Sequence, residues 1–511
     1  MLARCYSGAI YGVKAHTVEI EVCAASGTVQ FTIVGLPDQA VKEAKDRVST
    51  AIIHSGYKRT NTNITVNLAP ANLRKEGPIY DLPIAVALLS ATGRPECPHL
   101  SDFALVGELA LSGSVRPVRG ILPIVLEMRR IGKRGILVPA ENAAEAAIVD
   151  GIDVYPVRTL RDAVDFLSGR ITLEPAREDL PALMTRNTDN PDDFADVKGQ
   201  QFAKRALEVA VAGGHNVLMV GSPGAGKTML ARRIPSILPP MTAQEALDVT
   251  RIHSVAGALK SNRALVVERP FRAPHHTVSD IGLLGGGTHP VPGEVSLAHR
   301  GVLFLDEFPE FRRHVLEVLR QPLEDGHVAI ARAAAAYDFP SNFMLVAAMN
   351  PCPCGYVDDP KHLCRCTPRQ IALYRNKISG PLLDRIDIQI ALPPVPFSEL
   401  VHLPPGESSA TIRERVIAAR QIQQQRFADS PGICCNADIR AGDLADVCQL
   451  DAAAQEHMRN LLQELDLSAR AYSRVLKVAR TIADLAESPG VTVEHVAEAC
   501  TYRELDQAYW G

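Results

Sequence analysis

A glycine-rich loop that ends in a lysine and a threonine is the part of this sequence best suited to bind phosphate. It reads GSPGAGKT and lies between an apolar run at 215–220 and a helical pattern at 229–237. Backbone N–H groups of such a loop wrap phosphates, and the following helix N-terminus adds positive potential. We expect Lys227 to reach the β and γ phosphates and Thr228 to bind Mg²⁺. The predicted site for ATP and Mg²⁺ comprises Gly221, Ser222, Pro223, Gly224, Ala225, Gly226, Lys227 and Thr228.

Two adjacent carboxylates follow a second apolar run. Residues 301–308 read GVLFLDEF, which predicts a buried strand that ends at Asp306 and Glu307. Open α/β sheets place their chemistry at the carboxyl ends of strands. We expect Asp306 to hold the Mg²⁺ and Glu307 to polarise the water that attacks the γ-phosphate. The alternative is an ordinary solvated strand end, but the phosphate loop upstream favours the catalytic interpretation.

Four cysteines form a compact cluster in the sequence. Cys352, Cys354, Cys364 and Cys366 have the spacing C-x-C-x₉-C-x-C. Four thiolates from one loop suit a structural, tetrahedral Zn²⁺ site. The single residue inside each C-x-C is fewer than the two to four that are usual. Unpaired buried thiols or a redox pair therefore remain as alternatives to zinc.

The composition describes an ordinary globular chain. Its 511 residues, 46% hydrophobic and 22% charged, suffice for about three domains with large cores. No apolar run approaches a membrane span and the N-terminus does not resemble a signal peptide, so we expect a cytoplasmic protein without a membrane partner. An odd number of cysteines, eleven, argues against a disulfide framework. A net charge of −4 restricts any nucleic-acid contact to a local basic surface.

These patterns predict an α/β protein with three regions. Residues 1–171 alternate strands and helices, and the acidic, proline-containing stretch 172–196 reads as a linker. A second α/β core at 197–392 contains the phosphate loop, the Asp-Glu strand, a helix at 311–324 and a buried strand at 343–348. A proline-rich connection opens the region 393–511. Helical patterns at 409–426, 451–465, 468–486 and 491–501 then form a C-terminal helical lid.

The order and spacing of these motifs resemble those of the AAA+ ATPases, specifically the branch that contains magnesium-chelatase subunits and MCM helicases. The resemblance includes Asn350 after the strand at 343–349 and the segment GPLLDRIDIQI at 380–390. It implies that Asn350 senses the γ-phosphate and that Arg385 reaches the ATP site of a neighbouring subunit; a salt bridge of Arg385 with Asp384 or Asp387 is the alternative. It also implies that Arg470, in the motif Ser468-Ala469-Arg470, contacts the γ-phosphate, with Arg474 as the second choice.

The whole chain resembles a narrower group, the YifB/ComM family of bacterial magnesium-chelatase-like ATPases. The resemblance is carried by RPFRAPHHTVSDIGLLGGG at 269–287, PGEVSLAHRGVLFLDEF at 292–308 and NPCPCG at 350–355. It implies a homo-hexameric ATPase that moves DNA branches and promotes integration of incoming strands in natural transformation. DNA, with recombination or loader proteins, would be its partners. Alternatives are a metal-chelatase-type motor that acts on a protein partner and, with less support, an ATP-dependent protease.

Two insertions are the candidates for contact with DNA. The glycines 285–287 cannot lie inside a stable helix or strand, and they predict a mobile loop ahead of the Asp-Glu strand. Residues 327–338 predict a β-hairpin. In this branch of ATPases such insertions line the pore, so Arg272, His275, His276 and Arg332 are predicted to face DNA, with Arg332 on phosphates. Interdomain packing is the alternative, and the histidine pair could equally bind metal or be solvated.

The N-terminal region resembles the proteolytic domain of Lon-type proteases without its catalytic pair. Where those proteases place the nucleophilic serine, this chain reads Gly77-Pro78-Ile79-Tyr80-Asp81. Where they place the lysine, the segment 113–120 is followed by Ile121 and Leu122. Without a hydroxyl nucleophile and an amine base, peptide hydrolysis has no chemical agent. The sequence therefore predicts a scaffold or a DNA-guiding domain.

Overall fold

A computed structural model confirms the predicted α/β fold class with a C-terminal helical region. It describes residues 2–58, 62–93, 95–185, 192–259, 263–332, 336–357, 359, 362–394, 404, 406–430, 432–464, 469–505 and 509–510. Among these residues, every helix is too short or too polar to span a lipid bilayer. Most of the proline-rich connection, at 395–403 and 405, lies outside the described residues.

A seven-stranded mixed sheet forms the N-terminal domain. Its strands, in spatial order, are Phe31–Val34, Asn63–Ala69, Lys14–Ala25, Leu2–Tyr11, Phe103–Leu105, Gly135–Pro139 and Asp153–Val157. The helices are Gln39–His54, Asp81–Ala91, Ile121–Arg130, Ala143–Ala147 and Leu160–Leu167. Buried and exposed residues alternate along Lys14–Ala25, as expected for a strand with one covered face. Asp81–Ala91 is buried nearly all round, because it packs between the sheet and its neighbours.

The second domain is built on a parallel five-stranded sheet. Its spatial order is Phe271–Arg272, Val302–Leu305, Met344–Met349, Val217–Gly221 and Ile388–Leu392. The helices are Gln201–Gly213, Lys227–Ile237, Ala243–Ala256, Asp280–Leu284, Glu294–Leu297, Arg313–Glu317, Arg320–Asp325, Pro368–Arg375 and Gly380–Leu383. All four strand pairings are parallel, so the loops after the strands meet at one edge. That edge carries the residues predicted to do chemistry.

The C-terminal helices share a hydrophobic core with the second domain. They are Ser409–Arg426, Leu444–Val447, Ala452–Glu464, Ala469–Leu485 and Val493–Thr501. Ser409–Arg426 and Ala469–Leu485 pack on Gln201–Gly213 through residues that are fully buried, such as Val416, Ala479 and Leu207. The region is therefore fixed to the back of the second domain through these two helices.

Helix Ala243–Ala256 joins the two α/β domains. Ala246 and Val249 belong to the hydrophobic core of the N-terminal domain, whereas Ile252 belongs to that of the second domain. Near its end, Ser254 donates a hydrogen bond to the buried carboxylate of Glu145. The Ser254 carbonyl accepts from the Gly120 N–H at 3.1 Å. The N-terminal domain is thus docked by a shared helix rather than tethered.

A second contact joins the N-terminal domain to the hairpin of strands His327–Ala331 and Ala336–Pro340, of which residues 333–335 are outside the described residues. Tyr11, at the end of the first strand, stacks on Tyr337 with ring centroids 5.7 Å apart and planes 8° from parallel. Nearby, Glu76 lies 2.8 Å from the ring nitrogen of His289. Both regions predicted to line a pore are therefore touched by the N-terminal domain.

Two predicted elements differ from the structure. The linker 172–196 is structured at both ends: Leu180–Met184 is a short helix packed against the N-terminal core, and Phe194 is fully buried in the ATPase core. The predicted helix 311–324 is two short helices, Arg313–Glu317 and Arg320–Asp325. The interruption places Pro322 in the first turn of the second helix, where a missing N–H costs no hydrogen bond.

Candidate active site

The phosphate loop closes on its own lysine. Gly224 and Gly226 have φ angles of 81° and 91°, in the left-handed region that glycine adopts without strain. The Lys227 ammonium donates hydrogen bonds to the carbonyls of Gly221 and Ser222 at 2.6 and 3.0 Å. Burial lowers the pKa of Lys227, and the nearby Asp306 carboxylate acts against that shift. The loop therefore holds a preplaced cation beside backbone N–H groups, as a triphosphate requires.

The residues predicted to hold Mg²⁺ are in contact. The Thr228 hydroxyl donates to Asp306 Oδ2 at 2.8 Å, and Asp306 Oδ1 accepts from the Glu307 N–H at 2.9 Å. A hydroxyl and a carboxylate oxygen next to each other are ligands that Mg²⁺ prefers. The donor set at this point thus fits the ion, which would neutralise phosphate charge when bound.

Asn350 also lies at this edge. Its side-chain oxygen accepts from Lys227 Nζ at 3.1 Å. The contact follows from the sheet, because Met344–Met349 runs parallel beside Val217–Gly221 with Met349 opposite Val220. The structure therefore brings Asn350 to the phosphate loop, where it was predicted.

Glu307 is turned towards a histidine in the loop that follows strand Phe271–Arg272. Its backbone has φ 51°, a strained value for a residue other than glycine, and its side chain is 57% exposed. Glu307 Oε2 lies 3.0 Å from His276 Nδ1. His276 in turn stacks near His275, with ring centroids 4.1 Å apart. A member of the predicted DNA-facing pair is thus bonded to the predicted base, an arrangement that the sequence analysis did not anticipate.

The other predicted DNA-facing residues have different surroundings. Arg272 forms a two-pronged ion pair with Glu294 at 2.6 and 2.7 Å, so its guanidinium is occupied within the chain. His275 is exposed and lies 2.9 Å from the Thr277 hydroxyl. Arg332 is exposed and donates to the Gly287 carbonyl at 3.0 Å. Arg332 therefore joins the hairpin to the glycine segment.

Part of the glycine segment lies in a strand pair, although the sequence predicted that these glycines lie outside any stable strand. Gly285 and Gly286 form a two-residue antiparallel strand pair with Val291–Pro292. The φ of Gly285 is 99°, and a Cβ there would lie 2.4 Å from the Val291 carbonyl oxygen. Only glycine permits so close an approach, which is why a glycine run forms a strand here.

The predicted trans-acting arginine, Arg385, lies at the opposite edge of the sheet. Ile388 is paired with Val217, and Leu392 with Gly221. Arg385 precedes this strand, so it lies at the amino edge, whereas the phosphate loop leaves the carboxyl edge. Four residue steps of about 3.3 Å put roughly 13 Å of strand between the two edges. Arg385 therefore cannot serve the phosphate loop of its own chain.

Ion pairs also hold Arg470 and Arg474 at the amino edge. Arg385 pairs with Glu324 and donates to the Pro381 carbonyl at 2.6 Å, rather than pairing with either aspartate considered from the sequence. Arg470 lies 3.2 Å from Asp384, and Arg474 pairs with Asp387. Neither lid arginine contacts the phosphate loop of its own chain, so the predicted γ-phosphate contact of Arg470 could be made only in a neighbouring copy.

These three arginines line a cavity of about 880 Å³ between the ATPase core and the C-terminal helices. Its wall also contains Arg300, Arg420 and Lys477. The Nε atoms of Arg300, Arg385 and Arg420 are buried, and within the described chain they have no hydrogen-bond partner. Such donors are suited to an anionic group supplied from outside the chain.

The N-terminal domain has no Ser-Lys dyad at the expected positions. Ile79, which follows Gly77-Pro78 where the serine would stand, is buried, and nearby Asp81 accepts from Arg47 at 2.7 and 2.9 Å. Ile121 and Leu122 are fully buried. Lys75 is also buried, but its ammonium donates to the carbonyls of Pro70 and Leu73. A buried ion pair and apolar packing therefore replace the catalytic groups.

The cysteine cluster lies immediately beyond Asn350. The sulfurs of Cys352 and Cys354 are 3.4 Å apart, and that of Cys364 lies 3.8 and 3.5 Å from them. With Cys366, all four sulfurs fall within 4.8 Å of one another. One metal ion could bind all four.

Three family descriptions match successive regions of the chain. Residues 20–142 match "Subunit ChlI of Mg-chelatase", residues 193–400 match "Magnesium chelatase, subunit ChlI", and residues 406–503 match the C-terminal region of that subunit. The three matches follow the division into N-terminal domain, second domain and C-terminal helices.

Relatives resemble the chain from end to end. Competence protein ComM of Haemophilus influenzae is 45% identical over 99% of this chain and 98% of its own length. YifB of Escherichia coli is 43% identical over 98% of this chain and 97% of its own length. A partial similarity links the chain to Lon protease 2 of Bacillus subtilis, 25% identical over 34% of this chain and 33% of that protein.

Proposed function

This chain belongs to the magnesium-chelatase-like AAA+ ATPase family that includes ComM and the YifB proteins, and from that premise we propose a hexameric, ATP-driven motor that moves DNA branches. The motor would act in the cytoplasm and promote integration of incoming strands during natural transformation. Support for the DNA step comes from 45% identity to a protein named for competence. Its proposed ligands are ATP and Mg²⁺, with Zn²⁺ in the cysteine cluster. Its proposed partners are DNA and recombination or loader proteins.

The observation that carries the ring proposal is the division of the site between two edges. Lys227, Glu307 and Asn350 lie at the carboxyl edge of the sheet, and Arg385 lies at the amino edge. Copies stacked head to tail around a ring would bring one edge against the other. Each ATP would then be enclosed by two copies.

In the proposed motor, each of these residues has a role in hydrolysis. Lys227 neutralises the β and γ phosphates, and Asn350, already bonded to it, orients the reacting end. Glu307 accepts a proton from the attacking water. Arg385 of a second copy stabilises negative charge on the transferred phosphoryl group, with Arg470 of that copy beside it. Thr228 and Asp306 would hold the Mg²⁺, which would neutralise phosphate charge.

The contact between His276 and Glu307 supports coupling of hydrolysis to DNA. His276 belongs to the insertion between strands Phe271–Arg272 and Val302–Leu305, and it engages the base directly at 3.0 Å. A ligand that moved this insertion would release or redirect Glu307. ATP turnover would then depend on occupancy of the channel.

ATP hydrolysis measured with and without forked DNA tests this function. We expect DNA to stimulate the wild type, and we expect His276→Ala to raise the rate without DNA and to bring the ratio of the two rates towards one. His99→Ala removes a different carboxylate-paired histidine, which is exposed and lies in the N-terminal domain, and serves as control. An unchanged stimulation ratio in His276→Ala would refute the coupling, and no stimulation of the wild type by any DNA would favour the chelatase-type motor. Displacement of a strand from a branched substrate, measured in parallel, tests the motor itself.

A further inference from the structure

We propose that Cys352, Cys354, Cys364 and Cys366 hold one Zn²⁺, and that this ion fixes the loop against which the phosphate loop packs. The metal site itself is independent of the proposed DNA motor. The effect of the ion on nucleotide binding rests on the proposed ATPase function.

The spacing of the sulfurs fits a single tetrahedral ion. With Zn–S bonds of about 2.3 Å, the corners of a tetrahedron lie about 3.8 Å apart. The three measured separations are 3.4, 3.5 and 3.8 Å. A disulfide would need its sulfurs about 2.0 Å apart. An iron–sulfur cluster distributes four thiolates over two or four irons and so spaces them more widely than one ion does.

The loop needs such a crosslink to keep its shape. Between Pro351 and Thr367 the described residues form no helix or strand. Cys352 is fully buried, but Leu363 is 89% exposed, so the far half of the loop is not anchored by apolar burial. Ordering an irregular segment costs about 1–2 kcal/mol per residue in backbone entropy. Four bonds to one metal can offset that cost, as they do in small zinc domains.

The same loop forms a wall of the nucleotide site. A Cβ on Gly355 would lie 2.6 Å from Pro223 Cδ, so the backbone of the cysteine loop is in tight contact with the phosphate loop. Asn350, two residues before Cys352, is bonded to Lys227. On the other side, Arg375 donates to the Pro351 carbonyl at 3.2 Å and stacks on Tyr509. A metal bound by the cysteines would therefore fix the positions of both Pro223 and Asn350.

Metal analysis tests the zinc site. We expect about one Zn²⁺ per chain in the wild type and at least a tenfold lower zinc content in Cys364→Ser/Cys366→Ser. The control is Cys23→Ser, which removes an exposed cysteine outside the cluster and should keep its zinc. Reconstitution with Co²⁺ should give thiolate-to-metal absorption in the wild type and not in the double variant. Wild-type protein that contains no zinc and gives no cobalt bands overturns the site.

A second variant, studied by nucleotide titration, distinguishes the effect of the loop contact with Pro223 from the effect of the metal. Gly355→Ala leaves all four thiols in place but forces the loop away from Pro223. We expect it to keep its zinc and to bind a fluorescent ATP analogue about tenfold more weakly, which corresponds to about 1.4 kcal/mol. Gly132→Ala, where φ is also positive at 73° but the added methyl meets open space, is the matched control. Unchanged nucleotide affinity in both Gly355→Ala and the zinc-free variant overturns the effect of the ion on nucleotide binding. Failure of DNA to stimulate ATPase activity would leave the zinc content unaffected.

Discussion

Removal of the Arg385 guanidinium should abolish catalysis in the neighbouring copy and leave its own phosphate loop intact. In the structure Arg385 lies at the amino edge of the sheet, across roughly 13 Å of strand from the loop that binds ATP. Loss of an arginine that stabilises phosphoryl transfer costs about 10³-fold or more in rate, or about 4 kcal/mol. Arg385→Ala should therefore bind ATP normally, assemble, and hydrolyse it about a thousand times more slowly.

Mixed rings make this prediction quantitative. When Arg385→Ala and Lys227→Ala chains are coexpressed in equal amounts, a site works if its loop comes from the first variant and its arginine from the second. Each condition is met about half of the time, so about one quarter of the sites should regain activity. The control mixes Lys227→Ala with Glu307→Gln. Both of those residues serve the same loop, so every site contains at least one defect and the mixture should stay inactive.

The assay is steady-state phosphate release from purified rings, with assembly checked by light scattering. Inactive Arg385→Ala/Lys227→Ala mixtures of normal size would refute the placement of Arg385 in a neighbour's site. So would full activity of a monomer.

Three further predictions concern other regions of the molecule. Glu307→Gln should bind ATP with near-normal affinity but retain it unhydrolysed on a filter; rapid turnover would mean that another group is the base. Burial, with arginines nearby, lowers the pKa of His299 to about 3 from 6.5, so the folded state holds the neutral ring. The contribution of this group to the free energy of unfolding is complete above pH 6.5 and is lost as the pH falls towards 3, by about 3 kcal/mol at pH 4.5. The free energy of unfolding of His299→Asn should therefore depend less steeply on pH across this range. An identical slope in the variant and the wild type would contradict the assignment. Asp81→Ala leaves Arg47 without its buried partner and should destabilise the N-terminal domain by about 3 kcal/mol, measured as a lower thermal midpoint; an unchanged midpoint would mean that the pair is not buried in solution.

Local sequence signals predicted the features of the site that depend on short spacing. The phosphate loop, the Asp-Glu strand and the cysteine cluster are each encoded within a few residues, and the contact of Thr228 with Asp306 follows once their strands belong to one parallel sheet. The fold class was predictable for the same reason, because strand and helix periods alternate along the chain.

Contacts between distant segments were not predictable in this way. The bond between His276 and Glu307 depends on strand Phe271–Arg272 lying next to Val302–Leu305, and a two-residue strand has no sequence period. The partner of Arg385 is Glu324, on a helix that the sequence predicted as a segment of a longer one. The sequence did not predict that the N-terminal domain docks on Ala243–Ala256. A helix buried on two faces has apolar residues on both, and this pattern does not show which domain each face contacts.

The stack of Tyr11 on Tyr337 would couple any movement of the hairpin to the N-terminal domain. Any stroke that displaces the hairpin must either drag a seven-stranded sheet with it or separate the two aromatic rings. The Lon-like domain would then resist movement of the hairpin, and the size of that resistance would be set by residues far from any nucleotide.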